Sequence, residues 1–231
     1  MNIAKITNKR DAINKMVICG VFAALAYVCV CVFRIKVSFL TLDIKDAIIT
    51  TAAMMINPLA GAAISVVVAL LEMVTISETY YYGFIMNFLS SATFSVVASF
   101  IYRSRKTLAF AVIGLATAVA SVTAVMMLAN LFITPYYMGV TTSFVVGYIP
   151  KLLLPFNLTK ALLNAALVMI IYKPIATALR RARMLKSSQS TTSSDKHSAV
   201  RTVAVTLSAV ALLIICVLIF FLVLGAEVQL F

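Results

Sequence analysis

Tryptophan is absent from this 231-residue chain, histidine occurs once, and there are 7 acidic residues against 19 basic ones. Each scarcity excludes something. His197 stands alone in a polar stretch, so a histidine-based catalytic or metal site has nothing to build on. No GxxxxGK[ST] loop occurs, so the chain carries no ATPase of its own. No Ser-His-Asp set or metal-ligating cluster can be assembled, and an enzyme is the least favoured reading. The cysteines are Cys19, Cys29, Cys31 and Cys216. All fall in apolar runs and none forms a CxxC pair, so they read as small buried hydrophobes rather than metal ligands or a disulfide framework. Charged residues make up only 11% of the chain and hydrophobic ones 63%. Soluble domains have about a quarter and about half, respectively.

What is there instead is a succession of apolar runs long enough to cross a hydrocarbon layer of about 30 Å. The chain reads as an all-α integral membrane protein. The net charge of +12 does not point to nucleic acid, because the basic residues cluster at the ends of the runs. The first run, about 14–33, follows basic residues as a signal peptide would, but it lacks a clear cleavage site and is kept as a membrane helix. Further helices are expected at about 44–56, 58–75, 83–102 and 107–132, and from 150–155 to about 173. The second is short for a full crossing. Asn57-Pro58 separates the second from the third, and Thr134-Pro135 is expected to end the fifth. A basic and Ser/Thr-rich linker follows at 181–202, and an almost wholly apolar seventh helix lies within 203–231. The core membrane domain is thus 1–180.

Polar residues inside these runs are the candidate functional positions. Asn157, Lys160 and Asn164 follow an i, i+3, i+7 spacing and share one helix face. A lysine at the bilayer centre costs roughly 2.5–3.5 kcal/mol, so it faces protein or a water-filled cavity, or else snorkels to the headgroups. The neighbouring amides favour a ligand face. Asn130, near the outer end of the fifth helix, reads as an interhelical hydrogen-bonding group. Asn87 interrupts the fourth. Asp43 is expected to cap the second helix with Asp46 in its first turn, and Glu72 to be interfacial. Tyr80-Tyr81-Tyr82 suits a membrane interface or a stacking platform. Gly20 and Ala24 make a small-xxx-small surface, open to internal packing or to a partner helix.

Charge sets the orientation. With the amino terminus inside, 14 basic residues lie on the cytoplasmic side and 5 (Arg34, Lys36, Lys45, Lys151, Lys160) on the outer side or helix tops. Seven crossings put the carboxyl terminus outside. Asp43, Asn87, Asn130, Asn157 and Lys160 then fall toward the outer half.

Four stretches carry a family likeness: Phe39-Leu40-Thr41-Leu42-Asp43-Ile44-Lys45-Asp46, Asn57-Pro58-Leu59-Ala60-Gly61, Leu128-Ala129-Asn130 with Pro135-Tyr136-Tyr137, and Leu154-Pro155-Phe156-Asn157-Leu158-Thr159-Lys160. Over about residues 14–180 the chain resembles the substrate-binding S components of energy-coupling factor (ECF) vitamin transporters, most of all the riboflavin-specific RibU family. The resemblance implies a six-helix core that binds flavin from outside, here with an appended helix. It would dock on a transmembrane coupling subunit (EcfT-like) and two cytoplasmic ATPases. It further implies that Asn130, Asn157 and Lys160 bond the isoalloxazine ring; Leu40, Asp43, Asn87 and Asn164 are further candidate substrate-binding residues, not carried over from the family. Riboflavin would be cargo; no cofactor is expected. Thr41 stands where lysine is frequent, Asn57 where glycine is, and Gly83-Phe84-Ile85-Met86-Asn87-Phe88 lacks the acid frequent in that loop. Two alternatives stay open: an S component for another vitamin or small metabolite, and an ion-coupled secondary transporter using Glu72.

Overall fold

In the computed structural model, residues 3–182, 184, 207–215, 217–218 and 228–229 are described, the side chains of 3–10 and 228–229 excepted. Six helices form the body: α1 (Ile3–Val32), α2 (Lys45–Met55), α3 (Pro58–Thr75), α4 (Tyr80–Arg105), α5 (Leu108–Met138) and α7 (Leu154–Arg181). The short α6 (Thr142–Tyr148) and a π-helical turn (Ile149–Leu153) lead into α7. Among the described residues, five helical spans are long and apolar enough to cross a membrane. The protein is a membrane protein of several apolar helices.

The exception is α2. Its 11 residues rise about 16 Å, half a hydrocarbon layer. It lies inside the bundle, packed on α1, α3, α4 and α7, with Ala47, Ile49, Ala52 and Ala53 almost fully buried. Protein replaces lipid around it, so a short helix suffices. Asn57, in extended conformation, ends the α2–α3 break by accepting the Ala60 N–H at 2.6 Å, with Pro58 at the first position of α3.

Small residues set the closest approaches. A Cβ on Gly114 would stand 2.7 Å from the Ala98 carbonyl oxygen, which fixes the crossing of α4 and α5. Gly61 is similarly closed off by Ala53 and Ser95. The interior is otherwise filled by Phe94, Ala98, Leu115, Ala118, Val122, Met126 and Val168.

Three elements depart from the expectation. Residues 35–42 form a β-hairpin, β1 (Ile35–Val37) against β2 (Leu40–Leu42), in a chain expected to be all-α. Its two-residue loop places Ser38 at φ 54°, with none of the Asn-Gly or Gly signals that announce such turns. A third strand, β3 (Val228–Gln229), lies on the free edge of β1. Second, Pro135 does not end α5. The helix runs on to Met138 and stops at Gly139, whose φ is 64°. Proline forfeits one helical bond there, and the flanking turns carry the chain through. Third, Pro174 sits inside α7, which continues to Arg181. The seventh predicted helix appears as helical backbone at 207–215 and 217–218; the rest of that helix, and nearly all of the 181–202 linker, lie outside the described residues.

The hairpin, the start of α2, the end of α3, the start of α4, the end of α5 and the start of α7 gather at one end of the bundle. Arg103, Arg105, Lys106, Lys173, Arg180 and Arg181 gather at the other.

Candidate functional site

A cavity of about 150 Å³ opens at the hairpin end. The hairpin supplies Phe39, Leu40 and Thr41, and Asp43 follows it; α3 supplies Glu72, α4 Tyr82 and Asn87, α5 Met126 and Tyr137, and α7 Phe156, Asn157 and Lys160. Aromatic rings form its rim: Phe39 and Tyr137 meet edge-to-face at 6.4 Å, and Tyr82 lies 6.0 Å from Tyr137. Of the tyrosine run, Tyr80 and Tyr81 are exposed and only Tyr82 joins the cavity.

The floor is charged and buried. Lys160 does not snorkel. Its Nζ donates to Asp43 Oδ2 at 2.8 Å and to the Thr41 carbonyl at 3.1 Å, tying α7 to the hairpin. Asp43 is not the cap of α2, whose cap position is Ile44 with no side-chain cap bond. It accepts the Lys45 N–H at 3.3 Å, but its main partner is 117 residues away. Burial by itself would raise the Asp43 carboxyl, yet the Lys160 and Lys45 ammoniums hold it below the ordinary carboxylate range. Asp46, in the first turn of α2 as expected, accepts from Ser91 on α4.

Glu72 corrects the reading as interfacial. It is 3% exposed. Lys45 Nζ donates to both its oxygens, at 2.6 and 2.7 Å, and Asn87 Nδ2 to Oε2 at 2.5 Å. The expectation failed because it followed distance along α3 and ignored Lys45, which points inward from α2. An Asp-x-Lys-Asp run ahead of an apolar helix was the available signal: a lysine between two acids has a reason to be buried. Arg34 and Lys36 stand at the mouth. Arg34 donates to the Ile76 carbonyl at 2.9 Å, and Lys36 pairs with exposed Glu78, whose carboxyl it pulls below the ordinary range.

The remaining assigned residues divide. Leu40, Asp43, Asn87, Asn157 and Lys160 share the cavity wall. Asn157 Nδ2 also donates to the Leu153 carbonyl at 2.8 Å, one turn back along α7. Asn164 is not on that wall. Its Oδ1 accepts the Ala47 N–H at 2.8 Å and its Nδ2 donates to the Asp43 carbonyl at 3.1 Å, so it clamps α7 to the start of α2. Asn130 is fully buried and also off the wall, bonded to the Met126 carbonyl and the Thr134 hydroxyl within α5.

The arrangement combines edge-to-face and tilted aromatic rings with amide, ammonium and carboxylate groups in one cavity. Residues 14–176 match the family described as "ECF transporter, substrate-specific component". The chain belongs to that family. A solved structure described as the S component of a bacterial ECF transporter is similar at 26% identity, with a TM-score of 0.62, over 76% of this chain and 99% of that one. No curated protein matches the chain. As an S component it is the substrate-binding subunit of a transporter rather than an enzyme, and such subunits work in a membrane complex with an EcfT subunit and ATPases. An ion-coupled secondary transporter is thereby set aside.

Proposed function

We propose that this S component binds riboflavin or a close flavin from the outer side of the membrane, for uptake driven by a coupling subunit and two ATPases. The observation that carries the reading is that Asn157 and Lys160 line one cavity together with Asn87, Phe39, Tyr82 and Tyr137. An amide both donates and accepts, and an ammonium only donates. Two of the Lys160 donors are engaged by Asp43 and Thr41, which leaves one for a ring carbonyl. Aromatic side chains suit a flat heterocycle. Asn130 and Asn164 act in this proposal as supports of α5 and α7 that shape the wall.

The proposal keeps a six-helix core with α2 counted as the sixth, a linker, and a seventh crossing. The orientation has its amino terminus inside and its carboxyl terminus outside. It has the support of β3. α7 starts beside the hairpin and runs 28 residues, about 42 Å, away from it. Residues 228–229 are back at the hairpin.

Purified protein is expected to be yellow, and titration should quench or shift flavin fluorescence. Asn157→Ala and Lys160→Ala should each weaken riboflavin binding at least tenfold, since a lost partner in a desolvated pocket costs about 1–3 kcal/mol. Asn157→Ala is the cleaner variant, because Lys160→Ala also strands Asp43. Wild-type protein that leaves flavin fluorescence unchanged but binds another vitamin would refute the flavin assignment and leave the S-component family intact.

A further inference from the structure

The basic end of the bundle holds a second cavity, unrelated to the site above. It measures about 360 Å³ and lies between the α4–α5 turn and the last third of α7. Its wall is apolar, from Met54, Ala111, Val168 and Met169. Its rim carries Lys106 and Lys173, both exposed, and the Tyr102 and Tyr172 hydroxyls, which bond each other at 2.8 Å.

Two features hold this cavity open. Lys106 caps α4 in the left-handed region at φ 48°, so the chain turns sharply before Thr107 caps α5. Pro174 has no N–H, so the Ile170 carbonyl, also on the cavity wall, lacks its helical bond from position 174. The result is a dry slot with a polar, cationic lip at the end of a membrane bundle. Water gains little in a slot that is mostly apolar. A phospholipid satisfies both parts at once. One acyl chain fills the apolar wall, and the headgroup phosphate meets two ammoniums and two phenol hydroxyls.

We infer that the slot between the α4–α5 turn and α7 is a binding site for a single anionic phospholipid, with its phosphate held by Lys106 and Lys173. Basic pockets between membrane helices on the cytoplasmic side are where anionic headgroups bind. The site commits to lipid rather than to a free anion because the larger part of it is apolar. It does not depend on which vitamin the outer cavity takes.

The chain contains no tryptophan, so one can be introduced as a unique reporter. Leu108 lines the slot and is 41% exposed, which makes Leu108→Trp tolerable. The full-length variant is placed in phosphatidylcholine bilayers with a small fraction of chain-brominated lipid. Brominated phosphatidylglycerol is expected to quench at several-fold lower fraction than brominated phosphatidylcholine. Adding Lys106→Gln and Lys173→Gln should erase the difference, since each lysine near an anionic surface contributes about 1 kcal/mol, or about fivefold. Both lysines are exposed, and unchanged helical circular dichroism verifies that the fold is retained. Equal quenching by the two lipids in the parent variant overturns the proposal. So does a preference for phosphatidylglycerol that survives both lysine changes. Relief of quenching by millimolar inorganic phosphate would make this an anion site and overturns the lipid assignment; no relief is expected.

Discussion

Lys45 and Lys160 are the two residues whose desolvation most shapes this protein. Each leaves water and each meets a carboxylate in the bundle. Together with Asp43, Asp46 and Glu72 they form a buried cluster of formal charge −1. Breaking one such pair costs more than the pair contributes, because the remaining charge stays buried. Lys45→Met should therefore lower stability by about 3–5 kcal/mol, read as a large fall in apparent Tm in detergent. Glu72→Gln on top of Lys45→Met should recover most of that loss, since an amide still bonds Asn87 and needs no counter-charge. A single Lys45→Met with wild-type Tm would mean that the pair holds nothing together. The two lysines differ in consequence: Lys45 is sealed off at 1% exposed, whereas Lys160 at 9% retains access to the cavity.

At the scale of elements, the hairpin is the part that joins the cavity and the appended segment. β2 leads into Asp43 and so to Lys160, while β1 presents its other edge to β3. Leu213 packs on the hairpin cluster of Val37, Leu42, Leu152 and Phe156, and Val217 lines the gap between hairpin and α7. Lys36 and Gln229 are directly opposite partners across β1 and β3. In a background with the native cysteines replaced by alanine, Lys36→Cys with Gln229→Cys should form a disulfide in intact membranes. Lys36→Cys with Ser187→Cys should not, because position 187 follows the far end of α7. Absence of the cross-link with Gln229→Cys would remove β3 from the hairpin and refute the seventh crossing.

For the whole molecule, one face of α1 is among the apolar surfaces that the fold leaves open. Met16, Val17, Val21, Leu25 and Val28 are exposed, and a Cβ on Gly20 would meet nothing within 4 Å. Ala23 and Ala26, a third of a turn away, are packed in the core. The small-xxx-small pair Gly20/Ala24 therefore faces lipid or a partner, not the bundle. We propose it as the face that the coupling subunit approaches. Gly20→Leu with Ala24→Leu should spare ligand binding and reduce ATP-driven uptake by about tenfold, the effect of about 1.4 kcal/mol at an interface. Unchanged uptake with the variant present in the membrane would remove this face from the docking surface.

The membrane class, the approximate places of the helices and the concentration of basic residues at one end were legible in the sequence, because hydrophobic run length and charge position act locally. Asn157 and Lys160 were also legible, since polar groups in an apolar helix stand out whatever surrounds them. What the chain pattern left undecided depended on partners far away in sequence. The pairing of Glu72 with Lys45 spans 27 residues and that of Lys160 with Asp43 spans 117. Asn164 looked like a ligand group until its amide was seen to clamp α2, and the hairpin has no turn signal of its own. Pro135 and Pro174 failed to break their helices because neighbouring turns and packing hold the axis across one missing bond. Local chemistry determined which groups must leave water; only the tertiary structure decided which of them satisfy each other and which remain turned to the cavity, because a buried charge is settled by whatever the fold brings within 3 Å of it.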